Sequence, residues 1–395
     1  MDFFGGGFVF EPTKQILGSD CKTLLWWSTA LVSLPGHLTD LDFAVIAQEI
    51  FSDETRRQGR SIEQILDAVV IAWNGTDKAS GAVINFPGAP DMYDYERFAR
   101  GAGTPEGLGA ALVGAQKFAK LANGYIVPTA RCLEPIGVLH WKQFCGNRGQ
   151  EFFPVGVQAN DACWMDNVPG TVAPTNERVK SFLDNAVSQH GGKSVLYISF
   201  GSLYFPFATR EHVLALVETL LDLPSPFPFL FTLGGKLASL PTDLIERVNS
   251  SGKGLICDFW VEQREILQSG AIGWFLTHGG FNSTSESLTQ GIPLIIWPLA
   301  AEQPVNAALL AQDPHPVAIE LFQIRTGEQL GPSLRGGIPI TGSVADAVAE
   351  FKRTFEVARG EKGALIKENA VNMAMELRRA RRGEVAAEIK RLAAF

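Results

Sequence analysis

The sequence predicts an α/β protein of two domains, the second a doubly wound parallel sheet. Its 395 residues are enough for two or three domains with full cores. Its apolar fraction of 46% against a charged fraction of 19% is that of a globular protein. Its second half alternates near-continuous apolar runs of strand length with amphipathic runs of helix length, the pattern of parallel strands covered on both faces.

In order, Ser194–Phe200 reads as a β-branched and aromatic strand, Thr209–Asp222 as a helix and Phe227–Leu233 as a strand. Thr242–Asn249 follows as a helix, Gly254–Phe259 as a strand and Gln263–Gln268 as a short helix. Residues 271–276 then form a buried strand, with a helix after Asn282, a strand over Ile292–Trp297 and a helix over Glu302–Gln312. Together they place one domain from about Gly191 to about Thr341. The first half is less regular, with elements near Phe8–Leu17, Lys22–Ser28, Phe43–Ile50, Ala115–Leu121 and Tyr125–Pro128. Loop-rich stretches between them can shape a pocket. The Pro- and Gly-bearing "NVPGTVAPTNE" reads as an interdomain linker, and the tail as two helices, Ala345–Arg359 and Lys362–Leu392.

A net charge of −8 argues against a nucleic-acid surface or an anionic membrane as partner. The five cysteines are scattered without metal spacing and read as reduced thiols of a cytoplasmic protein. "MDFFGGGFVF" carries no secretory signal, and no apolar run is long enough to span a bilayer.

The most informative stretch is "THGGFNSTSES", from Thr277 to Ser287. It turns from a buried strand into a helix, with two glycines that let another group approach the backbone. Asn282, Ser283, Thr284 and Ser285 all suit capping, and a helix needs one cap. A helix start with surplus donors can take an anion. "SFGS" places Ser202 in a second strand-ending turn at the same sheet edge. Trp260 can stack on a flat ring. Glu286 can accept from a diol, and Glu302 with Gln303 can bind a polyol. For each residue alone, packing or capping is the commoner explanation.

Their order removes the ambiguity. Trp260 to Gln303, WVEQREILQSGAIGWFLTHGGFNSTSESLTQGIPLIIWPLAAEQ, closely resembles the donor-binding signature of family 1 UDP-glycosyltransferases without a gap. The signature's positions fall on Trp260, Gln263, His278, Asn282, Ser283, Glu286, Glu302 and Gln303, with Phe281 where plant members usually carry Trp. "KSVLYISFGS", "GYIVPTARCLEP" and "FFPVGVQ" resemble further family segments more loosely.

The resemblance implies a glycosyltransferase-B fold of two Rossmann-like domains. It divides the chain into 1–166, an acceptor-binding domain lacking its first strand or strands; 167–190, a linker; 191–341, the UDP-sugar domain; and 342–395, C-terminal helices. The anion becomes the diphosphate of a UDP-sugar, held by His278 and the helix start near Asn282 and Ser283 without a metal or cofactor. Trp260 stacks on uracil, Glu286 takes the ribose hydroxyls, and Glu302 and Gln303 hold the hexose, with glucose favoured. The reaction inverts the anomeric centre while a small lipophilic hydroxylated acceptor attacks. Its general base is a histidine oriented by an aspartate. Asp2 stands where that aspartate falls, and the histidine-bearing strand is absent from the sequence. His37, His140, His190, His212 and His315 read as loop, linker or exposed-helix residues. The expectation is a monomeric hexosyltransferase of weakened activity. The alternatives are a catalytically silent UDP-sugar binder and, less well supported by the signature, a UDP-sugar epimerase.

Overall fold

The computed structural model describes residues 3–31, 41–73, 81–97, 108–164, 173–202, 204–235, 238–337 and 339–395. The chain divides into two compact units: Met1–Gln158 with Ala380–Phe395, and Ala159–Arg379.

The first unit contains helices α1 (Phe3–Leu17), α2 (Phe43–Ser52), α3 (Glu54–Arg57), α4 (Ile62–Trp73), α5 (Asp94–Arg97), α6 (Leu108–Leu121) and α7 (Pro135–Gly146). Strands β1 (Leu24–Trp26), β4 (Gly124–Val127) and β5 (Glu151–Pro154) form a parallel sheet in the order β1-β4-β5. Strands β2 (Val83–Ile84) and β3 (Met92–Tyr93) make a small antiparallel ladder. Leu25, Phe43, Phe118, Tyr125 and Trp141 are buried in one apolar cluster between the sheet and its helices.

The second unit carries the site. Its helices are α8 (Glu177–His190), α9 (Arg210–Asp222), α10 (Thr242–Ser250), α11 (Gln263–Gln268), α12 (Phe281–Thr289), α13 (Gln303–Ala311), α14 (Val344–Arg359) and α15 (Glu361–Arg382), the last ending just past the unit's boundary. The strands are β6 (Val195–Ser199), β7 (Phe229–Thr232), β8 (Gly254–Cys257), β9 (Ile272–Thr277), β10 (Leu294–Ile296) and β11 (Ala318–Glu320). They form one parallel sheet in the order β11-β10-β9-β6-β7-β8. The chain winds outward from β6 to β8, returns to lay β9 on the other side of β6, and winds outward again to β11. That reversal opens a crevice at the C-terminal ends of β6 and β9. The register pairs Ser199 with Thr277, so the turns that leave these strands start level. Every residue of β6 to β10 is buried, which is why these strands read as unbroken apolar runs.

Several expected boundaries move. The Gly254–Phe259 run is strand only to Cys257, which leaves Trp260 in a loop. Within 167–190, Glu177–His190 is helix: Asn176 caps it, and Val179, Leu183 and Ala186 are buried at helical spacing. His212 is buried, not exposed, and its Nε2 lies 2.9 Å from the Gly342 carbonyl. The tail has a third helix, α16 (Glu384–Ala393), set off by a break at Gly383. It returns to the first unit, where it packs on β5 and where Glu384 accepts a hydrogen bond from the Arg131 N–H at 3.1 Å. Among the described residues no helix is long and apolar enough to cross a membrane.

Candidate functional site

Two glycine turns meet around one histidine. Gly201, at φ +77°, follows β6, and Gly279 and Gly280 follow β9. His278 lies between them: a Cβ on Gly201 would fall 2.9 Å from its Cε1, and one on Gly280 would fall 2.5 Å from its Nε2. Tyr204 stacks on the imidazole at 5.6 Å, and the Thr277 hydroxyl lies 3.2 Å from its Nδ1. Burial pushes the His278 pKa down to about 4, so the ring is neutral at pH 7 and acts through hydrogen bonds. Ser202 is exposed on the first of these turns.

Helix α12 starts two residues earlier than the sequence suggests. Gly280 is its N-cap, with no side chain to satisfy the first-turn amides. Asn282 to Ser285 lie inside the helix, which corrects the expectation that they cap it. Thr284 and Ser285 instead donate back to the Phe281 carbonyl, at 2.9 and 2.6 Å. Asn282 is exposed, Ser283 buried. The positive end of α12 therefore opens on the crevice without a cap from its own N-cap residue.

Glu302, the residue before α13, accepts a long 3.4 Å hydrogen bond from the Phe281 N–H at that helix start. Burial raises its pKa. Gln303 is 1% exposed, and its Oε1 accepts from the Leu299 and Ala300 N–H groups at 2.8 and 2.9 Å. It therefore shapes the loop after β10, and its amide nitrogen is the end left for a ligand. Asn306, which the sequence did not single out, donates to the Gly279 carbonyl at 2.9 Å and fixes the second glycine turn. Tyr204 was missed as well, since it lies in an irregular stretch with no periodicity.

On the other flank, Gln263 donates to Glu286 at 2.8 Å, joining two residues separated by strand β9. Trp260 is 68% exposed, and its indole N–H donates to Glu262 at 3.1 Å. With Pro174, Thr175, Val179 and Glu265 it lines a cavity of about 280 Å³. Among the described residues no group of three or more His, Cys, Asp or Glu side chains could hold a metal ion. Asp2, like His37, lies outside the described residues.

Residues 153–331 match the family model described as UDP-glucoronosyl and UDP-glucosyl transferase. UDP-glycosyltransferase eriJ of Hericium erinaceus is 33% identical over 306 residues, which are 75% of this chain and 59% of that protein. Residues 153–331 of this chain thus carry the UDP-glycosyltransferase family domain. A flavanone 7-O-glucoside 2''-O-beta-L-rhamnosyltransferase of Citrus maxima is likewise 33% identical, over 42% of this chain and 34% of that protein. The chain thus spans less than two thirds of these relatives. The structure of Phytolacca americana UGT2 with UDP-2fluoro-glucose and pterostilbene aligns with a TM-score of 0.63 at 21% identity, over 100% of this chain and 74% of that one. A Siraitia grosvenorii transferase in complex with UDP gives 0.63 at 18%, over 100% and 80%. The fold is therefore the glycosyltransferase-B architecture of these UDP-glycosyltransferases.

Proposed function

We propose that the Ala159–Arg379 unit binds a UDP-sugar and that the protein transfers its hexose, glucose in preference, to a small lipophilic hydroxylated acceptor with inversion. The observation that carries this reading is the placement of His278 between Gly201 and Gly280, at the start of α12, whose N-cap has no side chain. As the bond to the sugar breaks, negative charge grows on the diphosphate. Fixed donors already aimed at it stabilise that charge without having to reorganise. His278 and the first-turn amides near Asn282 and Ser283 supply them, with Ser202 on the facing turn. Trp260 offers an indole face to uracil, and Glu286 takes the ribose diol while Gln263 holds its other oxygen. Glu302 and the amide nitrogen of Gln303 bind the hexose. Asp2 is assigned by family resemblance alone, as the aspartate that orients the family's histidine base; no histidine in this sequence is assigned that role.

The names of the relatives motivate the acceptor class: a flavanone glucoside for the Citrus maxima enzyme and nuatigenin for a Solanum aculeatissimum glucosyltransferase. Calorimetry with UDP on the wild type, His278→Ala and Glu286→Ala tests the donor site. Each variant is expected to lose roughly 1–3 kcal/mol, the cost of a hydrogen bond to a charged group. Equal affinity in all three would sink the assignment. UDP release from UDP-glucose, UDP-galactose and UDP-glucuronic acid, with phenols and sterols as acceptors, tests the transfer, and the product's anomeric configuration by NMR tests inversion. Binding without turnover on any acceptor would leave a UDP-sugar binder in place of an enzyme.

A further inference from the structure

The fully buried side of the donor site contains a hydroxyl that packing alone does not call for. Tyr197 lies at the centre of β6, is 1% exposed, and stacks on Phe275 with ring centroids 4.6 Å apart. A phenylalanine would fill that space equally well. A buried hydroxyl is costly unless it is hydrogen-bonded. Here it lies 3.1 Å from Thr232 Oγ1, at the end of β7, and donates at 3.5 Å to Gln263 Oε1 at the start of α11. Gln263 in turn donates through Nε2 to Glu286 Oε2 at 2.8 Å.

The last link fixes the direction of the whole chain. A carboxylate only accepts, so the amide of Gln263 must turn its NH₂ towards Glu286 and its oxygen inward. The inward oxygen needs a donor, and Tyr197 O–H is the one present. With that proton committed, the Tyr197 oxygen is left to accept, and the hydroxyls beside it are those of Thr232, which also lies 3.5 Å from the Ile198 carbonyl, and Ser199. The result is a directed relay from Tyr197 on β6 through Gln263 on α11 to Glu286 on α12, in which each bond polarises the next. Burial pushes the Tyr197 pKa up to about 12, so the phenol keeps its proton at any working pH.

We propose that Tyr197 is a positioning residue of the donor site: through Gln263 it fixes which oxygen of Glu286 is presented to the ribose diol. The proposal rests on the assignment of Glu286 to the ribose. Without the Tyr197 hydroxyl the Gln263 amide loses its inward anchor and can rotate, and Glu286 loses its orientation. No contact between Tyr197 and the nucleotide is involved.

The test is calorimetry of UDP and of 2′-deoxy-UDP on the full chain, with wild type, Tyr197→Phe, Gln263→Ala and the double variant. Wild type should prefer UDP. Tyr197→Phe should weaken UDP by about 3- to 10-fold, one hydrogen bond's worth, and leave 2′-deoxy-UDP nearly unchanged, so that the preference narrows. In the Gln263→Ala background Tyr197→Phe should add nothing. Thr232→Val removes a hydroxyl 3.1 Å from that of Tyr197 and should move the preference the same way. It also serves as the second variant if Tyr197→Phe folds poorly. Unchanged preference in both variants overturns the proposal. So does equal weakening of both nucleotides, which marks a merely structural role. A wild type that does not distinguish the two nucleotides overturns the ribose assignment of Glu286 itself, and the relay's function with it.

Discussion

The imidazole of His278 fills the space that a side chain on Gly201 would need: a Cβ there would lie 2.9 Å from Cε1 and 3.3 Å from Nε2. The two residues belong to different turns, so one glycine sets the position of the proposed phosphate ligand that follows the neighbouring strand. Gly201 also sits at φ +77°, where any other residue is strained.

Gly201→Ala is therefore expected to carry two penalties. Backbone strain should cost about 1 kcal/mol of stability. Displacement of His278 should weaken UDP by about tenfold, as for a lost hydrogen bond to a charged group. Gly252→Ala separates the two effects, because Gly252 has φ +71° but nothing within 4 Å of its would-be Cβ. It should lose similar stability and keep UDP affinity. If both variants bind UDP like wild type, the close approach at Gly201 has no bearing on the site.

His278 also predicts a pH dependence. Its folded pKa of about 4 lies below the ordinary 6.5 because burial disfavours the cation. Between these values the unfolded chain binds the proton that the folded one refuses. Stability is thus fully present above pH 6.5 and falls as pH drops towards 4, by up to about 3 kcal/mol at 1.36 kcal/mol per pKa unit. His278→Gln should flatten this slope. A bound diphosphate raises the pKa of the ring, so affinity for UDP-glucose, which has no titrating phosphate in this range, should increase as pH falls from 7 to 5 with proton uptake. Calorimetry in buffers of different ionisation enthalpy reads that uptake directly, and a flat or falling affinity would place the ring away from the phosphates.

Glu302 predicts a conflict between stability and binding. Burial raises its folded pKa above the ordinary 4.5. Its favourable contribution is present below pH 4.5 and is lost as pH rises through the folded value, so at pH 7 the carboxylate works against folding. Glu302→Gln should raise the melting temperature at pH 7 by about 2–4 °C, the equivalent of roughly 1 kcal/mol, and give no gain at pH 4. The same change should weaken UDP-glucose while sparing UDP, since the proposed contact is with the hexose. Equal weakening of UDP would move Glu302 to the nucleotide end of the site.

Trp260 predicts the opposite separation. It is 68% exposed, so Trp260→Ala removes little buried area and should change stability by no more than about 0.5 kcal/mol. Stacking on a base is worth about 1–3 kcal/mol by alanine substitution, so UDP affinity should fall about tenfold or more. Retained affinity would leave the exposed indole without a role in nucleotide binding.

The strands of the second unit were legible because burial on both faces writes itself as unbroken apolar runs, as in "SVLYISF" and "AIGWFL". The glycine turns were legible because close approach restricts the residue type. Less visible was what each polar group binds. Asn282 to Ser285 look like caps in sequence, but the helix starts at a bare glycine and the hydroxyls of Thr284 and Ser285 turn back to the Phe281 carbonyl. Gln303 looks like a sugar ligand, yet half its amide is spent on the Leu299 and Ala300 backbone. His212 carries a signal that could have been used: it adjoins Val213, Leu216, Val217 and Leu220, the buried stripe of α9. Tyr197 carries none, since an aromatic in a buried strand reads as core.

The pairing of β6 with β9 brings together segments that two strands and three helices separate in the chain. This is the longest loop closed within that sheet, and its entropic cost must be met before any contact across it is gained. The proposed diphosphate groups come from both turns, Ser202 after β6 and His278 after β9, so a half-assembled sheet presents only part of that site. Donor and native topology are thereby coupled by mass action: a ligand at a hundred times its dissociation constant adds about 2.7 kcal/mol to the folded state. On the proposed donor assignment, nucleotide sugar in the cell would therefore draw each newly made chain towards the one strand order that can bind it.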